Sequence, residues 1–211
     1  MNRRDFTIAA TASLLAGAAR AEVGTYEKLL GALDLDVAGN EVQVQSGGAT
    51  HAALRLGKCA FLFAPKTKVT FDVEPGFAVK IANLMQGAMH AVFDPAAPAE
   101  RSVMTKHATI GIRGTAHYVE LEEDEDRTYS CCCYGHIHID GGAQSETQKT
   151  NYHDARIINR AGQVLVSPYH VPFNHYDNSL VFLEGQVGRQ PRWSLPNGQM
   201  QFISPFSLSD S

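Results

Sequence analysis

The sequence contains no apolar run of 18 residues, so we expect no ordinary membrane-spanning helix in the mature chain. It also lacks a basic stripe: 22 acidic residues face 18 basic ones, and the net charge of −4 gives no reason to expect a nucleic-acid partner. The G-x-S-x-G, H-E-x-x-H and phosphate-loop patterns are absent, so an enzyme is not expected. Cysteine is scarce, with four residues, and three of these are adjacent.

The N-terminal 21 residues have the features of an export signal. Arg3 and Arg4 form a short basic region, a run of small apolar residues follows, and Ala19–Ala21 supplies an A-x-A site. The paired arginines with Phe6 two positions on resemble the twin-arginine type of signal. We therefore expect cleavage after Ala21 and a soluble, periplasmic mature protein.

The rest of the chain predicts an all-β protein, a sandwich or roll of short antiparallel strands. Residues 22–39 form a lead-in with a short N-terminal helix over 25–35, based on the spacing of its leucines. Residues 40–140 then show short alternating or apolar runs, interrupted by Gly, Pro and Asn at steps of roughly ten residues. The acidic run at 120–127 is interpreted as a solvated turn.

The last part, 141–211, is predicted to be an extension of the β domain. It opens with a polar linker and contains a short helix near 178–187. Asp177 or Asn178 is expected to cap this helix, and Gly188 and Pro191 to end it.

Within the β region, the stretch ATIGIRGTAHYVEL (108–121), a charged turn and TYSCCCYGHIHI resemble the end of a FecR-type periplasmic domain. The resemblance covers about residues 40–140 and depends mainly on G-x-R-G-T at 111–115. It implies an exported, β-rich, non-enzymatic domain, and its best-known members belong to membrane-spanning regulators of sigma factors. This chain has no cytosolic anti-sigma segment, so that kind of signalling is not expected. We interpret Arg113 and its flanking glycines as a structural corner where two strands meet.

A second resemblance is to short exported FecR-domain proteins with a C-x-C-Y-G hairpin and a tail of the form HD…NHxD…LExxVGRxP. The matching residues here are Cys131, Cys133, Tyr134, Gly135, His153, Asp154, Asn174, His175, Leu183, Glu184, Val187, Gly188, Arg189 and Pro191. This subgroup has no established activity that the resemblance would imply.

The cysteines raise the question of metal binding. In a strand, Cys131 and Cys133 point to one face and Cys132 to the other. If Tyr134 and Gly135 formed a two-residue turn, the two outer cysteines would oppose His136 and His138. Two thiolates and two imidazoles approximate a four-ligand zinc set, although the spacing is not a standard zinc signature.

Other roles for the cysteines stay open. A disulfide, including one to Cys59, and buried unpaired thiols are both compatible with export, and together they are favoured over a metal site. A cysteine–histidine hydrolase is the least favoured, because it needs one exposed thiol of lowered pKa.

Two further histidines lie beside carboxylates in the sequence. His153 adjoins Asp154, and His175 lies two residues before Asp177, so each carboxylate could orient an imidazole ligand. The candidate metal ligands are therefore Cys131, Cys133, His153 and His175, with His136 and His138 as further candidates. The candidate cofactor is a transition metal such as zinc.

The favoured function is an exported binding or scaffold module whose partner is an envelope protein or a small ligand. The alternative is a small metal- or cofactor-binding protein that combines the cysteines with histidines of the extension.

Overall fold

The structure, a computed structural model, describes residues 26–96, 100–169 and 172–191, with the side chains of 114 and 115 left out. The predicted signal peptide lies outside these residues. None of the helices in the described ranges is both long and apolar enough to cross a membrane.

The described residues form fourteen strands and one helix. The strands are β1 Tyr26–Leu30, β2 Leu33–Ala38, β3 Glu41–Ser46, β4 Ala52–Leu56, β5 Cys59–Phe63, β6 Lys68–Glu74, β7 Ala78–Gln86, β8 Ala88–Val92, β9 Arg101–Met104, β10 Thr109–Glu122, β11 Arg127–Asp140, β12 Ser145–Thr150, β13 Asp154–Asn159 and β14 Val164–Val166. The helix α1 is Asp177–Gln186. The mainly β character predicted from the alternating runs is confirmed.

All strands belong to one sheet, in the order β1-β4-β5-β8-β10-β9-β7-β6-β3-β2, with β11 branching from β10. Pairing is antiparallel throughout the described strands except between β7 and β9. Strand β11 pairs with β10 on one side; on the other it pairs with β13 along its first half and with β12 along its second. It is therefore the strand where the β domain and the C-terminal extension meet.

Two apolar clusters lie on opposite faces of this sheet. The inner core contains Val42, Phe61, Phe71 and Leu84, and the Phe61 and Phe71 ring centroids are 4.7 Å apart. In β3, for example, Val42 and Val44 are buried while the intervening polar residues are exposed, which is the alternation of a half-buried strand.

The outer core covers the other face of β5, β8, β10, β11 and β13. Helix α1 packs there against β5 and β8, and its Leu180 and Leu183 belong to the same buried cluster as Ala60 of β5 and Val92 of β8. Its buried members are Ala60, Ala88, Val92, Ala116, Tyr118, Tyr129, Cys131, Cys133, Tyr134, Ala155, Ile157, Leu180 and Leu183.

The predicted helix over residues 25–35 is wrong, because the described part of this segment forms β1 and β2. Gly31 separates them with φ of +69°, and a Cβ at this position would lie 2.3 Å from the His51 carbonyl oxygen. Strand β1 pairs with β4, and β2 with β3. The leucine spacing suggested one helical face, but the glycine turn and these pairings override that local pattern.

The C-terminal helix is confirmed, but its predicted cap is not. The N-cap residue is Tyr176, which makes no side-chain capping hydrogen bond, and Asp177 is the first helical residue. The Asp177 carboxylate instead contacts side chains of the extension, as described below. Gly188 follows the helix with φ of +71°, in line with the predicted end.

The predicted hairpin turn at Tyr134 and Gly135 is also wrong. Both residues lie inside β11, which continues for fourteen residues, and the hairpin that joins β10 to β11 turns at 123–126 within the acidic run. That run is therefore a turn, as predicted.

The pairing of β10 with β11 contains two irregularities. One lies between Ile112 and Thr115, where β10 changes partner from β9 to β8, in line with the structural corner predicted for this motif. The other is a bulge in β11: Ala116 pairs with Tyr134 and His117 with Cys132, so Cys133 is an extra residue without a partner in β10. Cys133 and Tyr134 consequently both belong to the outer core, although they are adjacent.

Candidate metal centre

The two outer cysteines of the triplet share one environment, as the strand alternation predicted. Cys131 and Cys133 are fully buried in the outer core, whereas Cys132 is fully buried in the inner core. All four cysteines of the chain are free thiols in the structure, so Cys59 bridges none of the others. The two outer sulfur atoms are available as ligands.

The extension returns to β11 and supplies the first imidazole. After β12 the chain turns back, and the His153 backbone N–H donates a hydrogen bond of 2.9 Å to the Cys133 carbonyl. This bond fixes His153 directly before β13, where its side chain is buried. His153 Nδ1 lies 3.5 Å from Cys131 Sγ.

The segment before α1 supplies the second imidazole. The His175 ring stacks on Tyr118 of β10, with centroids 4.3 Å apart and planes 10° from parallel. Its Nδ1 lies 2.5 Å from the Phe173 carbonyl oxygen, so Nδ1 carries the hydrogen and donates it. Its Nε2 lies 3.6 Å from Cys133 Sγ and 3.2 Å from His153 Nδ1.

Four ligand atoms therefore converge, one each from Cys131, Cys133, His153 and His175. All four lie within 4.8 Å of one another, and all four residues are buried. With zinc–sulfur bonds of about 2.3 Å and zinc–nitrogen bonds of about 2.0–2.1 Å, ligand atoms at tetrahedral angles lie roughly 3.3–3.8 Å apart. The separations of 3.2, 3.5 and 3.6 Å are within about 0.1 Å of that range.

A carboxylate behind His153 orients its ring. Asp177 Oδ1 lies 2.9 Å from His153 Nε2, and Asp177 Oδ2 accepts a hydrogen bond of 2.9 Å from the Tyr152 hydroxyl. The His153 Nε2–H thus donates outward, and Nδ1 faces the sulfur atoms. Outer partners of this kind fix the tautomer of metal-binding histidines.

The electrostatics of the four side chains favour a thiolate at Cys131. Burial acts to raise the pKa of this thiol, but hydrogen bonds from Cys133, His153 and His175 outweigh it and hold the pKa well below the ordinary value. Burial acts to lower the pKa of His153, and its hydrogen bonds to Asp177 and Cys131 outweigh that effect and raise the pKa to about 9. These two shifts, in opposite directions, favour a thiolate at Cys131 beside a protonated His153 ring.

The other cysteines do not share this activation. Burial, with the neighbouring Cys131 charge, raises the pKa of Cys133 well above the ordinary value and that of Cys132 to about 12. Cys133 therefore keeps its proton until a cation replaces it.

The carboxylate partners differ from those expected from the sequence. Asp177 contacts His153 rather than its near neighbour His175. Asp154, adjacent to His153, instead binds Arg156, whose guanidinium it shares with Glu146.

The structure does not bring His136 and His138 to the cysteines. Because β11 runs straight through Tyr134 and Gly135, these histidines lie further along the same strand. His138 is exposed and its Nδ1 lies 2.8 Å from Thr147 Oγ1 of β12. His136 and His138 could have faced the cysteines only if the chain had turned at Tyr134 and Gly135.

The sequence analysis missed a third buried imidazole, His90 of β8. His90 Nε2 lies 3.4 Å from Cys133 Sγ, and burial, with the nearby His175 and His153, lowers its pKa well below the ordinary value. The available signal was a lone histidine in the apolar run AMHAVF. A buried imidazole needs polar partners, and here these come from β11 and α1.

Comparison with known proteins adds information on the fold alone. No family model matches the chain, and no curated protein matches it. Two crystal structures, each described as a "putative anti-sigma factor" from Parabacteroides distasonis ATCC 8503, are similar in fold with a TM-score of 0.50. The first, solved at 2.50 Å, is 14% identical over 60% of this chain and 59% of its own length. The second, at 1.65 Å, is 13% identical over 68% and 65%.

This chain thus spans less than two thirds of either neighbour. At 13–14% identity the likeness concerns the fold and does not extend to the role in their descriptions. At such low identity the FecR assignment itself stays a prediction.

Proposed function

We propose that this protein is an exported, FecR-like module that holds one transition-metal ion, zinc being the best fit, between β11 and its C-terminal extension. The observation that carries the proposal is the convergence of two sulfur and two imidazole nitrogen atoms within 4.8 Å. Two cysteines with two histidines are an established ligand set for structural zinc.

Charge balance supports a divalent ion. Two thiolates neutralise the two positive charges, so that the buried ion and its ligands carry no net charge into the outer core. A buried, uncompensated charge would be costly. The lowered pKa of Cys131 favours its thiolate, and the raised pKa of His153 favours its protonated ring, so an incoming divalent ion would displace one proton from His153 and one from Cys133.

The spacing favours one ion over a two-metal cluster. In a cluster with Cys₂His₂ ligation, one iron binds both cysteines and the other binds both histidines, which separates the sulfur atoms from the nitrogen atoms. Here each imidazole nitrogen lies within 4.8 Å of both sulfur atoms. A single ion at the centre reaches all four.

The pair formed by Cys131 and His153, with Asp177 behind it, also has the order of a catalytic cysteine triad. A nucleophilic thiolate must be reached by its substrate. Cys131 is fully buried, and a second cysteine and a second histidine fill its surroundings. These features favour metal binding over hydrolysis.

The function in the envelope is the less specific part of the proposal. The fold-level neighbours support a regulatory or binding module, and the metal would fasten the extension to the sheet on which it packs. The partner would be an envelope protein or a small ligand that recognises the assembled surface.

The proposal is tested by metal content. Protein purified natively from the envelope should contain close to one ion per chain by elemental analysis. Cys131→Ser and Cys133→Ser should each abolish stoichiometric zinc binding, whereas the matched Cys132→Ser, on the opposite face of β11, should retain it. Equal binding by all three variants, or no binding by the wild-type protein, would exclude this centre.

A further inference from the structure

His90 of β8 lies beside the proposed metal site and contacts two of its ligands. It is buried in β8, and its ring centroid lies 5.0 Å from that of His175. Its Nε2 points to Cys133 Sγ at 3.4 Å, almost the same distance as that from His175 Nε2 to this sulfur. Two imidazole nitrogen atoms therefore approach Cys133, one from β8 and one from the segment before α1.

The hydrogen bonds of Ser179 fix which nitrogen of His90 carries the hydrogen. The Ser179 hydroxyl donates to the Tyr176 carbonyl at 2.5 Å and has no second hydrogen to give. Since His90 Nδ1 lies 2.8 Å from Ser179 Oγ, Nδ1–H must be the donor in that contact. In the neutral ring, Nε2 then presents a lone pair toward the centre.

A lone pair in this position would repel a metal-bound thiolate at Cys133 unless the nitrogen also bound the ion. The distance permits this. A sulfur and a nitrogen bound to one ion at an angle between about 90° and 110° lie roughly 3.0–3.6 Å apart, and the observed value is 3.4 Å. The group of four donors within 4.8 Å does not include His90. His90 Nε2 thus lies more than 4.8 Å from at least one of the four donor atoms, and two ordinary bonds of about 2.0–2.3 Å cannot span that distance. His90 could therefore reach the ion only through a longer fifth bond, opposite one of the other ligands.

We propose that His90 is a fifth metal ligand, so that the centre offers three imidazole nitrogen atoms and two thiolates. This inference rests on the proposed metal-binding function. Such a donor set accommodates divalent first-row ions that accept five ligands, such as Co²⁺, Ni²⁺ and Cu²⁺, as well as Zn²⁺. Helix α1 takes part in the centre indirectly, because its Ser179 positions the fifth ligand.

Cobalt(II) titration tests the proposal, since the d–d absorption of Co²⁺ depends on its coordination number. The wild-type protein should bind one Co²⁺ with the weaker bands of a five-coordinate ion. His90→Phe should bind the same stoichiometry, keep the sulfur-to-cobalt charge-transfer band, and show the more intense bands of a tetrahedral ion. Ser179→Ala should shift the spectrum in the same direction, because Nδ1 loses the acceptor that fixes the tautomer.

X-ray absorption on zinc-loaded wild-type protein provides a measure that needs no variant to fold. Two nitrogen and two sulfur neighbours at ordinary bond lengths, and a third nitrogen at a longer distance, are expected around the ion. Two nitrogen and two sulfur neighbours alone, or cobalt spectra that His90→Phe leaves unchanged, would overturn the role of His90 and leave the four-ligand centre intact. Failure of the wild-type protein to bind either metal would overturn the proposed function itself.

Discussion

Asp177 Oδ1 lies 2.9 Å from His153 Nε2, although the two residues are 24 positions apart in the sequence. The first residue of α1 thereby holds the ring of the residue directly before β13. Burial acts to raise the pKa of Asp177, but its hydrogen bonds to His153 and Tyr152 outweigh burial and lower it, so the carboxylate is ionised at neutral pH.

Asp177→Asn should therefore weaken zinc binding without removing a ligand. The amide cannot stabilise the Nε2–H of His153 as a carboxylate does, and loss of such an outer partner typically costs about 10–100-fold in metal affinity. Competition with a chromophoric chelator measures the change.

Asp154→Asn is the matched control for that experiment. Asp154 adjoins His153 in the sequence, but its carboxylate contacts Arg156. Zinc affinity should stay within about threefold of the wild-type value. Equal losses in both variants would show that the effect is general destabilisation rather than loss of the contact to His153.

Glu184→Ala should destabilise the docked helix. Glu184 of α1 is buried, accepts a hydrogen bond from the Tyr134 hydroxyl, and pairs with Arg189, whose guanidinium also donates to the Phe93 carbonyl. Removing the carboxylate leaves these donors without their charged acceptor. We expect a loss of roughly 1.5–3 kcal/mol in the free energy of unfolding, measured by urea denaturation.

The exposed turn residue Glu123 provides the comparison for this loss. Glu123→Ala should change the unfolding free energy by no more than about 0.5 kcal/mol. A similarly small effect at Glu184 would mean that α1 is held by its apolar face alone.

Acidification should remove the contribution that Asp126, in the turn between β10 and β11, makes to the stability of the folded protein. Its carboxylate contacts Lys106 Nζ at 2.7 Å and His107 Nε2 at 3.2 Å, and these hydrogen bonds lower its pKa. A lowered folded-state pKa means that the stabilisation is present above the unfolded-state value of about 3.9 and is lost as pH falls through the folded-state value. The stability difference between the wild-type protein and Asp126→Asn should accordingly shrink below pH 4.

Urea denaturation between pH 7 and pH 3 measures that difference. Asp124→Asn, in the same turn, serves as the control because Asp124 is exposed. The prediction fails if the Asp126 difference persists unchanged at pH 3.

The sequence was informative wherever a local periodicity decided the outcome. Strand alternation correctly placed Cys131 and Cys133 on one face and Cys132 on the other. The polar residues of the extension also pointed to His153 and His175, which the structure brings to those sulfur atoms.

The sequence did not predict contacts that depend on how distant parts of the chain pack together. Nothing local to Asp177 shows that its partner is His153 instead of His175, because that choice depends on how α1 docks. Likewise, His90 comes close to Cys133 only through the sheet order, in which β8 lies beside β10 and β10 beside β11. The N-terminal helix was mistaken for a similar reason: pairing of β1 with β4 outweighs the leucine spacing.

The extra residue that β11 carries at Cys133 restricts which insertions and deletions this part of the sequence can accept during evolution. It lets Cys131 and Cys133 face outward while Ile137 and Ile139, further along the same strand, face inward. A single-residue deletion between Cys133 and Ile137 would reverse one of these two groups, turning either the sulfur atoms into the apolar interior or the isoleucines to the outside. Insertions and deletions should therefore be tolerated in the turn at 123–126 and selected against within these five positions.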